Sequence, residues 1–394
     1  MNEEKKLVPK LRFPEFRRAE GWEMTLLEKC LGYQQPTPYL VKDERYSPIF
    51  KTPVLTAGKT FILGYTNEEH GIFREGLPVI IFDDFTTATQ FVDFPFKAKS
   101  SAMKILLAKD GANIKFMFET LRNVSFEVGA HERHWISTFA PMLVPIPKTA
   151  EQQKIADCLS SLDELIAAQA CKVDALKTHK KGLMQQLFPR EGETQPRLRF
   201  PELRDAGEWK ETVAGKLFSN RVERGNSSLP IYSVTMTDGM VPRSSLDRRI
   251  DDIAESSANK TVRKGDIAYN MMRMWQGALG VAPEDCMVSP AYIVLKPSAA
   301  NTAFFSYMFK QPQMLQLLTA HSRGLTEDRL RLYFDDFAKV PLLCPSVEEQ
   351  SRIADFLFSL DELVAIESEE LETLKTHKKG LMQQLFPSSE AAEA

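Results

Sequence analysis

Cysteine is scarce in this chain. There are five in 394 residues, odd in number and scattered at Cys30, Cys158, Cys171, Cys286 and Cys344. No two stand at metal-ligand spacing, so no disulfide framework is expected, and a reduced, cytoplasmic protein is. Long apolar runs are missing too. No stretch of about 18 uncharged apolar residues occurs, which argues against a membrane-spanning helix. The opening MNEEKKLVPK is charged and has no apolar core, so a secretory leader is not expected there. Neither GxxxxGKS/T nor GxGxxG occurs, and bound nucleotide has no support. There is no Gly-x-Ser-x-Gly elbow, and no Asn-Pro-Pro-Tyr or Asp-Pro-Pro-Tyr element of the amino-methyltransferase kind. His131-Glu132-Arg133-His134 is not HExxH: its histidines are three apart and a third ligand is missing. The pairs Asp83-Asp84 and Asp335-Asp336 lie beside phenylalanines in strand-like contexts, which suits structural or capping roles better than catalysis. No catalytic apparatus, metal or cofactor is therefore expected in this chain.

What is present is repetition. LKTHKKGLMQQLFP stands at 176–189 and returns, letter for letter, at 374–387. Ile155-Ala156-Asp157 and Leu162-Asp163-Glu164-Leu165 recur at the same offset as Ile353-Ala354-Asp355 and Leu360-Asp361-Glu362-Leu363. Upstream, Leu11-Arg12-Phe13-Pro14-Glu15 with Trp22 is echoed by Leu198-Arg199-Phe200-Pro201-Glu202 with Trp209. Between the echoes, about 25–145 and 212–340, similarity vanishes. The chain reads as two divergent modules on two near-identical supports.

The supports read as helices. Ile155, Leu159, Leu162, Ile166, Val173 and Leu176, and in the second Ile353, Leu357, Leu360, Val364, Leu371 and Leu374, alternate spacings of four and three, the seam of a coiled coil. Thr149 with Gln152, and Ser346 with Glu349, fit capping boxes one residue out of register with each other. Both helices stop at Phe-Pro. About 39 residues at 1.5 Å rise give rods of about 58 Å. Each seam lacks a partner of its own length except the other, which predicts antiparallel packing of the two. The seam weakens at Ala170, at Glu367-Ser368, and at Lys180 and Lys378. Gly182 and Gly380 cost about 1 kcal/mol each relative to alanine and imply close approach of another backbone. Polar residues are copied as well: Lys177, His179, Lys180 and Gln185 match Lys375, His377, Lys378 and Gln383. Such a copied surface suits one partner met twice.

Each module reads as mixed α and β. In the first, strands are predicted over 78–82, 91–94 and 103–107, with a polar turn at 83–89 and a helix over 116–124. In the second, 265–269 leads into 270–276, a strand follows at 291–295, and a helix over 304–318 is broken by Pro312. The predicted organisation is a module over 1–147, a helix over 148–189, a second module over 190–345, a second helix over 346–387, and a disordered tail at 388–394.

Polar loop residues are the candidates for DNA contact. The first module offers Gln34, Gln35, Thr37 and Tyr39, then Lys59 and Thr60, then Thr86, Thr87 and Thr89, then Lys99, Ser100, His131 and Arg133. The second offers Arg221, Arg224, Asn226, Arg243, Asn270, Arg273, Gln276, Arg323 and Arg331. The net charge is −3, yet the second helix is strongly acidic, and the remainder without it is basic. The basic run from Arg221 through Arg243, Arg248, Arg249 and Arg263 to Arg273 fits a phosphate-facing patch. With Asp247, Asp251, Asp252 and Glu255 interleaved, it fits a mixed solvated surface equally well.

On the LRFPE echoes, the helix openings and the LKTHKKGLMQQLFP ends, the chain resembles the specificity subunits of type I restriction-modification systems over essentially its full length. Within the modules, 56–60 with 83–87, and 265–276, look like two recognition-domain types. The resemblance implies an α+β fold: two recognition domains joined by two long antiparallel coiled-coil helices in a pseudo-two-fold repeat. It implies binding to double-stranded DNA at a split, asymmetric site, one half per domain. It also implies two modification subunits that methylate adenine N6 with S-adenosylmethionine, and motor-nuclease subunits that use ATP and magnesium. The alternatives are a specificity subunit serving a fused restriction-methylation enzyme, and a coiled-coil scaffold with no DNA role.

Overall fold

A computed structural model describes residues 7–56, 58, 60–124, 133–246, 256–326 and 329–387. The expected disordered tail, 388–394, lies outside the described residues. The chain packs as two compact units, one comprising 1–171 with 369–394, the other 172–368. Each contains one module and half of each long helix, Thr149–Leu187 and Val347–Leu385. Among the described residues, no helix is long and apolar enough to cross a membrane.

The main sheet has the same strand order in both unlike modules. In unit one, a four-stranded antiparallel sheet runs in the order Leu31–Gln34, Met103–Ala108, Val79–Asp83, Thr89–Val92. In unit two the order is Phe218–Asn220, Tyr292–Pro297, Ile267–Asn270, Leu279–Val281, again antiparallel. A separate two-stranded ladder leads from each module towards its long helix: Glu23–Leu26 on Leu143–Ile146, and Lys210–Val213 on Pro341–Cys344. The helix predicted over 116–124 is Ile114–Asn123, capped by Asn113 through the N–H of Phe116. The stretch 304–318 divides into Thr302–Phe309 and Pro312–Ala320, with the proline opening the second helix.

Each LRFPE echo is a clamp. The Leu11 N–H donates to the carbonyl of Gln384, and the Leu198 N–H to that of Gln186, both at 2.9 Å, so each copy ties down the end of one long helix. The arginine grips the start of the other. Arg12 meets Glu151 at 2.7 and 2.6 Å, and Arg199 meets Glu349 at 2.8 and 2.7 Å, each bidentate; Arg12 and both glutamates are buried and Arg199 is half-buried. Glu15 pairs with Lys154, and Glu202 with Arg352. The tryptophan completes the joint. In unit one Trp22, Phe116 and Phe386 pack within 5.4–6.0 Å. In unit two Trp209, Phe304 and Phe188 do so within 5.4–6.2 Å. The Leu-Phe end of one long helix thus fills the core of the module that opens the other.

The capping boxes are half right. Ser346 Oγ accepts the N–H of Glu349. Thr149 instead donates to the Gly111 carbonyl, because both helices start in the same register and the residue equivalent to Ser346 is Lys148, whose side chain offers no acceptor. The two glutamines that follow do the same work in both copies. Gln152 accepts from Asn113 N–H and donates to the Pro147 carbonyl, and Gln350 accepts from Asn301 N–H and donates to the Pro345 carbonyl.

Within each unit the helix halves run antiparallel. In unit one Asp163 meets Lys378, and Gln169 meets Glu370. In unit two Lys172 meets Glu367, and Lys180 meets Asp361. The apolar repeat serves two purposes. Ile155, Leu159, Ile353 and Leu357 are buried in the module cores. Val173 is buried farther along, while Leu162, Ile166, Leu176, Leu360, Val364, Leu371 and Leu374 are half-buried. The weak points in the seam are where ion pairs cross it.

These pairs carry a pH signature. Burial pushes the Asp163 carboxyl up, but Lys115 and Lys378 outweigh it and hold the group below the usual aspartate range. A carboxyl more acidic when folded stabilises the fold fully above its unfolded value of about 3.9, and the contribution is lost as pH falls through the lower folded value. Asp163→Asn is expected to lower the melting temperature at pH 7 and to flatten its decline below about pH 4. An acid limb identical to wild type in circular-dichroism melts would take Asp163 out of this role.

Candidate nucleic-acid interface

The same connection in both sheets gathers the polar candidates. It joins the third strand to the edge strand: Asp84–Ala88 in unit one, Met271–Ala278 in unit two.

In unit one, Asp83 Oδ1 accepts the N–H groups of Phe85 and Thr86, an Asx turn. Thr87 has φ of 59°, a left-handed conformation unusual for a β-branched residue and costing about 1–3 kcal/mol. Asp84 locks the turn from beneath. Its carbonyl accepts the His134 N–H, its Oδ1 accepts the Trp135 N–H, and Lys104 Nζ lies 3.3 Å from Oδ2. Asp84 and Lys104 are both buried. The turn that carries Thr86 and Thr87 is thereby tied to His134 and Trp135, and Arg133, the residue before them, is exposed.

In unit two the longer connection makes a 3-10 turn, Met274–Gln276, closed by left-handed Gly277 at φ 81°. Met274 is buried beneath it, while Arg273 and Gln276 are exposed. Asn270 Oδ1 accepts the Met272 N–H, and Arg273 N–H donates to the Asn270 carbonyl. Beside the turn, Leu332 N–H donates to the Met271 carbonyl, next to the backbone pairing of Arg323 with Arg331.

Several other predicted contacts are engaged within the chain. Arg221 grips buried Asp266 at 2.5 Å, and that carboxylate pushes its pKa up. Arg323 holds Asp336 at 2.7 Å, and Arg331 donates to the Leu330 carbonyl. Lys99 pairs with Glu44. Gln34 donates to the Tyr39 hydroxyl, whose ring packs on Phe73. Ser100 Oγ accepts the Ala102 N–H, and Asn226 Oδ1 the Ser228 N–H. Thr89 sits in the edge strand opposite Phe82, and Arg243 opens a 3-10 turn, half-buried. Gln35, Thr37, Thr60 and Arg224 are exposed. Lys59, His131, Arg248 and Arg249 lie outside the described residues. Sequence reasoning missed Lys104: in an alternating strand it reads as a solvent residue, and nothing marks it as the counter-ion of Asp84.

On the copied helix ends, Lys177, His179 and Gln185, with Lys375, His377 and Gln383, are exposed. Lys180 and Lys378 are not available in the same way. Lys180 pairs with Asp361, and buried Lys378 pairs with Glu119 and Asp163.

Residues 192–376 match the family model of the type I restriction modification DNA specificity domain. The chain is similar to the EcoR124I/EcoR124II specificity subunit of Escherichia coli, 36% identical over 274 residues that make up 62% of this chain and 66% of that one, just under two thirds of its length. It is 26% identical to the MjaVIII specificity subunit of Methanocaldococcus jannaschii over 94% of this chain and 93% of the relative. Its fold is similar to the crystal structure of the type I restriction-modification S subunit from M. genitalium, with a TM-score of 0.64, 18% identity, and coverage of 97% of this chain and all of that one.

Proposed function

We propose that the chain, a type I restriction-modification specificity subunit by sequence and fold, binds double-stranded DNA at a split, asymmetric site, one half per module. In this reading it does no chemistry. It brings two adenine-methylating modification subunits to the site, together with motor-nuclease subunits. S-adenosylmethionine, ATP and magnesium belong to those partners, and the target base is flipped into the partner's pocket, since it is out of reach inside the stack.

One observation carries the reading. Two sheets of identical strand order present the same connection with different polar residues: Thr86 and Thr87 in one, Asn270, Arg273 and Gln276 in the other. A fixed scaffold with a variable polar turn, itself held from beneath by Asp84 or Met274, is what sequence readout at base edges requires. Arginine and asparagine offer bidentate donors for guanine and adenine respectively.

Mapping of methylated adenines in cells that express the chain with its modification subunit tests this. Exchange of residues 25–145 for another such module is expected to change one half-site and keep the other. Arg273→Ala is expected to weaken or relax only the half read by unit two, by about 1–3 kcal/mol. Changes in both halves after the exchange would end the modular reading, and unchanged affinity and selectivity would remove Arg273 from the interface.

A further inference from the structure

A small antiparallel ladder in unit two, Lys260–Val262 on Cys286–Val288, carries cations of two kinds. At the Val262 end the arginines are neutralised inside the chain. Arg263 meets Asp285 at 2.8 Å and also pairs with Glu223, and Arg221 grips Asp266 at 2.5 Å. At the Lys260 end they are not neutralised. Lys260 stands opposite Arg224 in a β-bridge, and among the described residues neither forms an ion pair. Arg224 is exposed and Lys260 half-buried.

The Lys260 end adjoins the connection that carries Asn270, Arg273 and Gln276. Lys260 Nζ donates to the Tyr292 carbonyl at 2.6 Å, and Tyr292 lies opposite Asn270 in the main sheet. The Met271 N–H donates to the Ala291 carbonyl, and the Arg273 N–H to that of Asn270. A continuous run of contacts thus leads from Arg224 through Lys260 and Tyr292 to Arg273.

Lys260 holds a costly place. Burial pushes its pKa down, and no carboxylate among the described residues offsets that cost. An ammonium carries three donors, and the Tyr292 carbonyl takes one. The other two, and the charge itself, have no use within the described part of the chain. A phosphate oxygen would supply both the acceptor and the missing counter-charge.

We infer that Lys260 and Arg224 hold phosphates of the DNA backbone beside the half-site that unit two reads, and so fix the register in which Arg273 meets the bases. The inference rests on the reading of unit two as a DNA-recognition module. Phosphate suits the pair better than a base edge does. Both residues stand on the ladder rather than on the polar turn, and lysine is a compact point charge with no acceptor. The planar groups of Asn270 and Arg273 suit base edges. Phosphate contacts set orientation without reading sequence, so the two sets of residues divide the work.

The experiment uses the full chain assembled with its modification subunit. It measures the affinity for a duplex carrying the methylation-mapped site, and for a scrambled duplex, across a salt series. Lys260→Met keeps the apolar stem and removes the charge. It is expected to weaken binding to both duplexes by the same factor, and to flatten the slope of log affinity against log salt by about 0.9. Arg224→Gln should do the same, the double variant about twice as much, and Lys260→Arg should keep the wild-type slope. Arg263→Gln, at the neutralised end, should leave the slope unchanged, and Arg273→Ala should lose selectivity instead. Circular-dichroism melts of Lys260→Met are expected to match wild type. Should that variant unfold, Arg224→Gln at its exposed position carries the test with Lys260→Arg. Wild-type slopes in Lys260→Met and Arg224→Gln would overturn the inference and leave the proposed function standing. A loss confined to the mapped duplex would make Lys260 a base reader, and an equal flattening by Arg263→Gln would make the effect one of general charge; either overturns the assignment. If the wild-type complex binds neither duplex, the proposed function falls and takes this inference with it.

Discussion

Phe386→Ala destabilises unit one by about 3–5 kcal/mol and leaves unit two in place. Phe386 stands at the far end of the chain from the module it supports. Its ring is buried, lies 5.4 Å from Phe116 in a stacked arrangement, and meets Trp22 edge-on at 6.0 Å. Truncation to alanine removes that buried surface and opens a cavity between two rings that belong to other elements and cannot collapse freely. Phe188→Ala produces the counterpart loss in unit two, where Phe188 packs on Phe304 and Trp209. Hydrogen exchange is the decisive measurement. With Phe386→Ala, amides over 27–34 and 114–121 exchange faster while those over 267–270 and 302–309 keep their protection. Equal loosening of both units, or of neither, would show that the helix ends do not complete the modules separately.

Arg12→Ala costs about 3–5 kcal/mol, because it leaves the Glu151 carboxylate buried without its counter-charge. The guanidinium makes two bonds to Glu151 and two more to the carbonyls of Ala19 and Glu20. Its hydrogen bonds to Glu151 push the Arg12 pKa up, against the opposing effect of burial. After the substitution the only side-chain donor left to Glu151 among the described residues is Trp22 Nε1 at 3.3 Å. Arg12→Met combined with Glu151→Leu should recover much of the loss, since an apolar pair of similar volume removes the desolvation burden from both sites. Thermal melts of the two single variants and the double variant form the cycle. A double variant no more stable than Arg12→Ala alone would mean that the arginine acts through its backbone-carbonyl bonds. Arg199 and Glu349 predict the same pattern in unit two.

Much of the architecture was legible because it is written twice. The repeat located both long helices, and Phe-Pro ended them close to where they end. The strand over 78–82 is Val79–Asp83, and that over 103–107 is Met103–Ala108, since runs of β-branched and large apolar residues leave few other ways to bury them. What the linear order leaves out is the partner of each side chain. Thr149 looked like a cap by its spacing to Gln152, but the acceptor it serves, the Gly111 carbonyl, comes from a distant turn. Lys180 and Lys378 looked like flaws in an apolar seam and like surface residues for a partner. Aspartates on the facing helix engage both. Arg221 looked like a phosphate contact, and Asp266 occupies it.

The sequence by itself determined that there are two modules, two long helices and one shared set of joining motifs, because periodicity and internal identity are properties of order along a chain. Only the tertiary structure decided that each module is completed by the end of the helix it does not lead into, that the LRFPE echo holds one helix by its start and the other by its end, and that one hairpin connection in each sheet collects the polar turn residues. Those facts depend on which surfaces meet. A residue's burial, and whether its charge is already neutralised, are set by neighbours that the linear order does not name.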